Sequence, residues 1–306
     1  MNWPQNKDFA FTIIDDTDNA TIRNIKPVYD LLFELGFRTT KTVWVYPPRD
    51  HFKGQSLSED DYVELILKLK EQGFGLALHG VGSGDFVRDE IKRGIEIFEK
   101  KLDLPASMHI NHAQNSSNIY WGKKRFYPPV SWIMHFAKSE FFGENPNSDF
   151  FWGDIFKEKV KFTRNLVFSE INTLRCDPLM PYREANKDRY SNYWFSSSDG
   201  HTVKEFNDLT SPKNIQRLRE ERGCSIIYTH FASGFVTPHG DVDPTFRKQM
   251  TELSKQNGWF VPAHNVLELL LECKTTEELV ASSKYLRILS AKWLISRIIK
   301  KFKYGR

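Results

Sequence analysis

Three cysteines in 306 residues, Cys176, Cys224 and Cys273, are too few, too far apart and odd in number for a disulfide framework. None stands in a Cys-x-x-Cys pair of the kind that builds a structural zinc ribbon. Their scarcity points to a reducing, cytoplasmic setting. Long apolar runs are missing too, since no stretch reaches about 18 uninterrupted apolar residues. The opening Met1-Asn-Trp-Pro-Gln-Asn-Lys-Asp8 has no basic start followed by an apolar segment. The sequence therefore predicts neither a signal peptide nor a spanning helix. It shows no internal repeat, no low-complexity linker, and no basic motif with interleaved aromatics in the body, which argues against nucleic acid as a partner.

What is present is a globular composition, 40% hydrophobic and 27% charged, long enough for one large barrel or two modest domains. The net charge of +4 is a local feature. From Arg287 to Arg306 there are seven Lys or Arg and no acid, and the other 286 residues carry 36 bases against 39 acids. On a helical wheel Ala291, Leu294, Ile295, Ile298 and Phe302 share one side, with Lys292, Arg297, Lys300 and Lys303 largely on the other. Residues 273–306 thus read as a basic amphipathic tail behind a body of residues 1–272. Two readings stay open for it: a helix lying on an anionic membrane surface with Trp293 near the interface, or a terminal helix docked on the body with a solvated basic rim.

Short apolar runs alternate with longer amphipathic segments. Strands are predicted at Phe9–Ile14, Thr40–Tyr46, Phe74–His79, Ser107–His112, Asn172–Cys176, Tyr193–Ser197, Ser225–His230 and Trp259–Pro262. Helices are predicted at Ala20–Leu35, Glu59–Glu71, Asp89–Leu102, Asn214–Arg222 and Pro244–Lys255, with Gly36, Gly73, Gly223 and Gly258 as stops. Seven or eight such units predict an α/β fold, a distorted (β/α) barrel of the TIM-like kind. Tyr120–Val167, crowded with Trp121, Phe126, Trp132, Phe136 and Trp152, reads as an irregular insertion. Its aromatics either stack on sugar rings or cover a barrel end.

The polar residues fall at the strand ends. Asp15-Asp16 closes the first run, His79 the third, His112 the fourth and His230 the seventh; Arg175 flanks the fifth and Asp199 follows the sixth. In a barrel these ends share one mouth, so a carboxylate with two or three imidazoles makes a first shell for Zn²⁺ or another divalent metal such as Co²⁺ or Ni²⁺. Each has a structural alternative: a helix N-cap for the Asp pair, a hydrogen-bonded structural role for the histidines, and a barrel ion pair for Arg175.

These residues resemble the polysaccharide deacetylase family, the NodB-like carbohydrate esterases, through Ile13-Ile-Asp-Asp16, the strand ending at His79, Tyr228-Thr-His230 and the closing strand and helix from Trp259. The resemblance implies Asp15 as catalytic base, Asp16 and His79 as metal ligands, and His230 as the acid that protonates the leaving group. It leaves the last ligand open, because the family's second histidine is missing and Ser83 or Asp85 stands nearby. Either His112 completes the site or the metal has been lost. The activity implied is removal of an N-acetyl or O-acetyl group from a carbohydrate or glycan precursor. Arg175 and Asp199 at the rim and Trp121 of the insertion are the expected substrate contacts. Two alternatives remain: a metal-free glycoside hydrolase using Asp15 and Asp199, or a non-catalytic carbohydrate-binding descendant.

Overall fold

The computed structural model describes residues 2–134 and 140–305; Phe136 of the predicted insertion lies outside them. Its strands are β1 (Phe9–Asp15), β2 (Thr40–Val43), β3 (Gly75–Leu78), β4 (Met108–His109), β5 (Phe162–Phe168), β6 (Tyr193–Asp199), β7 (Cys224–Thr229) and β8 (Gly258–Trp259). The helices are α1 (Ile22–Glu34), α2 (Asp60–Glu71), α3 (Arg88–Leu102), α4 (Val130–Ile133), α5 (Gly153–Lys159), α6 (Thr173–Cys176), α7 (Val203–Leu209), α8 (Pro212–Glu220), α9 (Pro244–Ser254), α10 (Ala263–Glu272) and α11 (Ser283–Tyr304).

The strands are parallel, and β1 pairs with both β2 and β7, so seven strands close into a barrel. The start of β1 pairs with β8, Phe9 with Gly258 and Ala10 with Trp259, while its end pairs with β2, Ile14 with Thr40 and Asp15 with Lys41. That division is the distortion that the count of seven or eight units predicts.

Strand alternation sorts the side chains into two layers. Phe9, Phe11 and Ile13 pack outward with Ile25, Val28 and Leu32 of α1, whereas Ala10 and Ile14 pack with Ala77, Met108, Ile110 and Ile226 of the neighbouring strands. Helices complete the outer layer through one apolar stripe each. In α3 the buried large side chains are Ile91, Ile95, Phe98 and Leu102, a 4-3-4 spacing, with about 1.5–3 kcal/mol for each large apolar side chain fully buried. Gly36 and Gly73 end α1 and α2 with φ of +83° and +87°, the left-handed turn that glycine adopts without a Cβ clash.

Two predicted elements are corrected. Residues 172–176 form no strand: Thr173–Cys176 are α6 with Asn172 as its N-cap, and the fifth strand is Phe162–Phe168, all but its last residue inside the stretch read as irregular. Leu174 and Cys176 suit a strand and a helical turn equally well over so short a window. β6 meets β7 only at Ser198 with Ile227 and Asp199 with Tyr228. Asn172 and Thr173 do the rest, their side chains accepting from the backbone N–H groups of Cys224 and Ile226 at 3.2 and 3.0 Å.

The basic tail is one helix docked against β5. α11 buries Leu286 and Leu289, and Trp293 packs on Phe126 with ring centroids 4.3 Å apart. Among the described residues no helix is long and apolar enough to cross a membrane. The three cysteines are free thiols.

Candidate active site

The two adjacent aspartates point to opposite sides, as strand alternation requires. Asp15 takes the outward side with Tyr29 and Lys41. Its Oδ2 lies 2.9 Å from the Lys41 ammonium and accepts from Tyr29 Oη at 3.1 Å, and its Oδ1 accepts from the Phe231 backbone N–H at 2.7 Å. Lys41 and Asp15 are both fully buried. A carboxylate so engaged, behind the barrel wall, is a clamp that ties β1 to β2, α1 and the loop after β7. It does not stand where the expected base would.

Asp16 points the other way and meets Arg164 of β5, which donates to its two oxygens at 3.0 and 2.5 Å. Burial would raise the Asp16 carboxyl, but Arg164 first and the imidazoles of His79 and His230 after it hold it below the usual range. Arg164 is fixed in turn by the Tyr228 ring, 4.4 Å from its guanidinium carbon.

The ligand cluster forms around Asp18, two residues further on the same side. Asp18 Oδ1 lies 3.2 Å from His79 Nε2 and 3.3 Å from His112 Nε2, and its Oδ2 lies 3.1 Å from His230 Nε2. The far nitrogens identify the tautomers. His79 Nδ1 faces the Ile110 carbonyl at 3.2 Å and His230 Nδ1 the His201 carbonyl at 3.4 Å, so both carry hydrogen on Nδ1. His112 Nδ1 faces Asn115 Oδ1 at 3.1 Å. That amide is oriented by donation from Gly84 N–H to Oδ1 and from Asn115 Nδ2 to the Gly82 carbonyl, so His112 too donates through Nδ1. Three Nε2 atoms therefore converge on one carboxylate. Gly80, with φ +64°, permits this packing, because a Cβ there would come 2.8 Å from Asn115 Nδ2.

Asp18 Oδ1 and His112 Nε2 are buried, and the 3.3 Å contact between them lacks hydrogen-bond geometry, which leaves neither with a hydrogen-bond partner. Buried orphaned ligand atoms beside a second imidazole fit a divalent metal, and the donor atoms of Asp18, His79 and His112 lie within 4.8 Å of one another. Burial raises the Asp18 carboxyl, yet His79, His112 and His230 together bring it well below its ordinary value. Trp44 stacks parallel to His79 with ring centroids 6.4 Å apart, and Phe52 meets His112 edge-on at 4.8 Å.

The remaining candidates are scattered. Asp16 lies outside the ligand cluster, 3.8 Å from His79 Nε2. Ser83 donates to Asp50 and Asp85 accepts from the Ser116 N–H. Arg175, on α6 rather than at a strand end, is half-exposed and pairs with Glu221 at 3.1 Å. Asp199, expected just after the sixth strand, is the last residue of β6, and its carboxylate is held by Arg297 and Lys300 of α11 at 2.9 and 2.8 Å. Trp121 is half-buried beneath the Arg125 guanidinium, 3.9 Å above its ring, and lines a cavity of about 200 Å³. Asp18, Arg164, Lys41 and Trp44 are the residues the sequence reading passed over. The spacing Asp16-x-Asp18, which sets two carboxylates on one side of an extended chain, was the signal for the first.

No protein-family model matches this chain, and no curated protein does. Among solved structures it is similar to a protein from Mycobacterium smegmatis assigned as a polysaccharide deacetylase, with TM-score 0.53 and 12% identity over 90% of this chain and 94% of that one. It is also similar to Puue allantoinase, with TM-score 0.53 and 8% identity over 89% of this chain and 93% of that one. These likenesses establish a shared barrel fold.

Proposed function

We propose that this chain, a barrel with the fold of the polysaccharide deacetylases, is a metal-dependent hydrolase that removes an N-acetyl group from a carbohydrate. The observation that carries the reading is the convergence of the His79 and His112 Nε2 atoms on Asp18 beside the paired Asp16. Asp18, His79 and His112 would hold a divalent ion of the zinc class. Such an ion, when bound, polarises a carbonyl and acidifies water.

The other roles belong to side chains. Arg164 keeps Asp16 ionised and oriented, so that it receives the proton of the attacking water. Lys41, Tyr29 and Asp15 hold the strand end that presents Asp16 and Asp18. His230, with its Nδ1–H directed to the His201 carbonyl, presents Nε2 to pass a proton to the departing amine. Burial would lower the His230 pKa, but Asp18, Asp16 and Asp15 raise it above the ordinary imidazole value, which suits an acid. Trp121 is the candidate sugar platform: Asn111, next to His112, holds Ile119 through two hydrogen bonds, and the segment carrying Trp121 follows.

A metal-free glycoside hydrolase needs two carboxylates across the mouth. Asp15 is turned to Lys41 and Asp199 to α11, so the geometry favours the metal reading.

The test is acetate release from N-acetylated oligosaccharides by protein stripped with chelator and reloaded with Zn²⁺, Co²⁺ or Ni²⁺. Activity should return with metal and fall about 10²-fold or more in folded Asp16→Asn and His230→Ala variants. Metal-loaded protein that releases no acetate from any N-acetylated sugar would remove the deacetylase reading.

A further inference from the structure

The N-terminal half of α11 buries Leu286 and Leu289, whereas its C-terminal half turns bases toward the body and leaves apolar side chains outside. Arg297 and Lys300 reach Asp199, Lys300 also reaches Glu205 at 3.0 Å, and Lys303 reaches Asp208 at 3.1 Å. With these bases taken by acids of the barrel, Ile288, Ile295, Ile298, Ile299 and Phe302 are left exposed, Phe302 at 88%. At 3.6 residues per turn the five fall in a single stripe about 100° wide. Lys292 and Lys303 border it on one side, Arg287 and Lys301 on the other. α4 packs beside α11 and exposes Trp132 at 68%.

A continuous apolar stripe in water marks a surface that something covers. The rim decides what. Its own charges are all positive: Asp208 answers Lys303, while no salt bridge among the described residues reaches Arg287, Lys292 or Lys301. A second copy of the chain would bring basic rim against basic rim, whereas an anionic bilayer meets both the stripe and its border.

We propose that α11 docks this protein on an anionic lipid surface, lying in the plane of the bilayer with Ile295, Ile299 and Phe302 at the boundary between headgroups and acyl chains. Asp199, which anchors the helix, ends β6, so the docked helix meets the barrel at the strand-end rim that carries Asp16 and His79. The surface contact is separate from turnover, and it stands whether or not the hydrolase reading holds.

The experiment is co-sedimentation of the full chain with phosphatidylcholine vesicles and with vesicles of phosphatidylcholine and phosphatidylglycerol. The chain should sediment with the anionic vesicles only, and less as salt rises. Ile295→Asp/Ile299→Asp should lower the bound fraction about ten-fold or more, each added charge working against insertion. Arg287→Glu/Lys301→Glu should do the same, and this pair decides the question if the first variant unfolds in a thermal melt. Absence of binding to anionic vesicles, or binding that both variants leave unchanged, overturns the proposal. So does a dimer that the Ile substitutions break in sedimentation velocity while vesicle binding is absent.

Discussion

Removing Lys41 and Asp15 separately and together distinguishes a buried clamp from a catalytic base. The two side chains are fully buried and 2.9 Å apart, with Tyr29 and the Phe231 N–H completing the shell of the carboxylate. Lys41→Met leaves a buried carboxylate with neutral donors only, and Asp15→Asn leaves a buried ammonium. Burial pushes the Lys41 pKa down while Asp15, with Tyr62 and Asp16, raises it above the ordinary value, so its partner sustains the charge. Each single substitution should cost about 3–5 kcal/mol. In Asp15→Asn/Lys41→Met both charges are gone and the Asn oxygen still accepts from Phe231. The double variant should therefore fall short of the sum by about 2–3 kcal/mol. Urea unfolding followed by circular dichroism reads the stability, and acetate release reads the chemistry. The folded double variant should keep turnover within about ten-fold of the parent, some 1.4 kcal/mol in barrier, while Asp16→Asn loses it. Additive stability losses, or a folded double variant as inactive as Asp16→Asn, would refute the assignment of Asp15 to structure.

Two further predictions concern pH. His109 is buried between Trp152 and Phe156, and burial, helped by His79, pushes its pKa down to about 3. The unfolded chain takes up this proton below about pH 6.5 and the folded one does not, so the contribution is complete above that pH and is lost as pH falls toward 3. His109→Leu should flatten the acid limb of a stability curve by up to about 1.4 kcal/mol per pH unit in that window, and parallel curves would refute it. Asp177, held by Ser196 at 2.6 Å and Tyr285 at 2.5 Å, is raised by burial to about 6. Its folded form binds the proton more tightly, so stability falls as pH rises from about 4 to 6. Asp177→Asn should therefore gain up to about 3 kcal/mol over the parent at pH 7 and little at pH 4. An equal effect at both values, measured by urea unfolding, would contradict this.

Most of the barrel was legible because parallel strands buried on both faces write themselves as short apolar runs, and Gly36 and Gly73 mark the returns. β5 was hidden by Arg164, a charge inside an apolar strand whose partner, Asp16, is 148 positions away. The same pair explains the aspartates: adjacency suggested a base and a ligand, whereas alternation sends Asp15 behind the wall and pairs Asp16 with Asp18. The histidines were legible as strand-end residues, and their convergence on Asp18 was not, because it depends on closure of the barrel. In the tail the amphipathic wheel was plain. Which side faces inward was not, since Asp199, Glu205 and Asp208, the acids that turn it, lie about 100 residues earlier.

The most direct test of the central claim is metal content by mass spectrometry on purified protein after mild dialysis, comparing the parent with Asp18→Asn, His79→Ala, His112→Ala and Asp16→Asn. Near-stoichiometric divalent metal is expected in the parent and in Asp16→Asn, with a clear loss in the other three. Metal that survives Asp18→Asn but disappears with Asp16→Asn, or a parent that binds none after reloading, would contradict it.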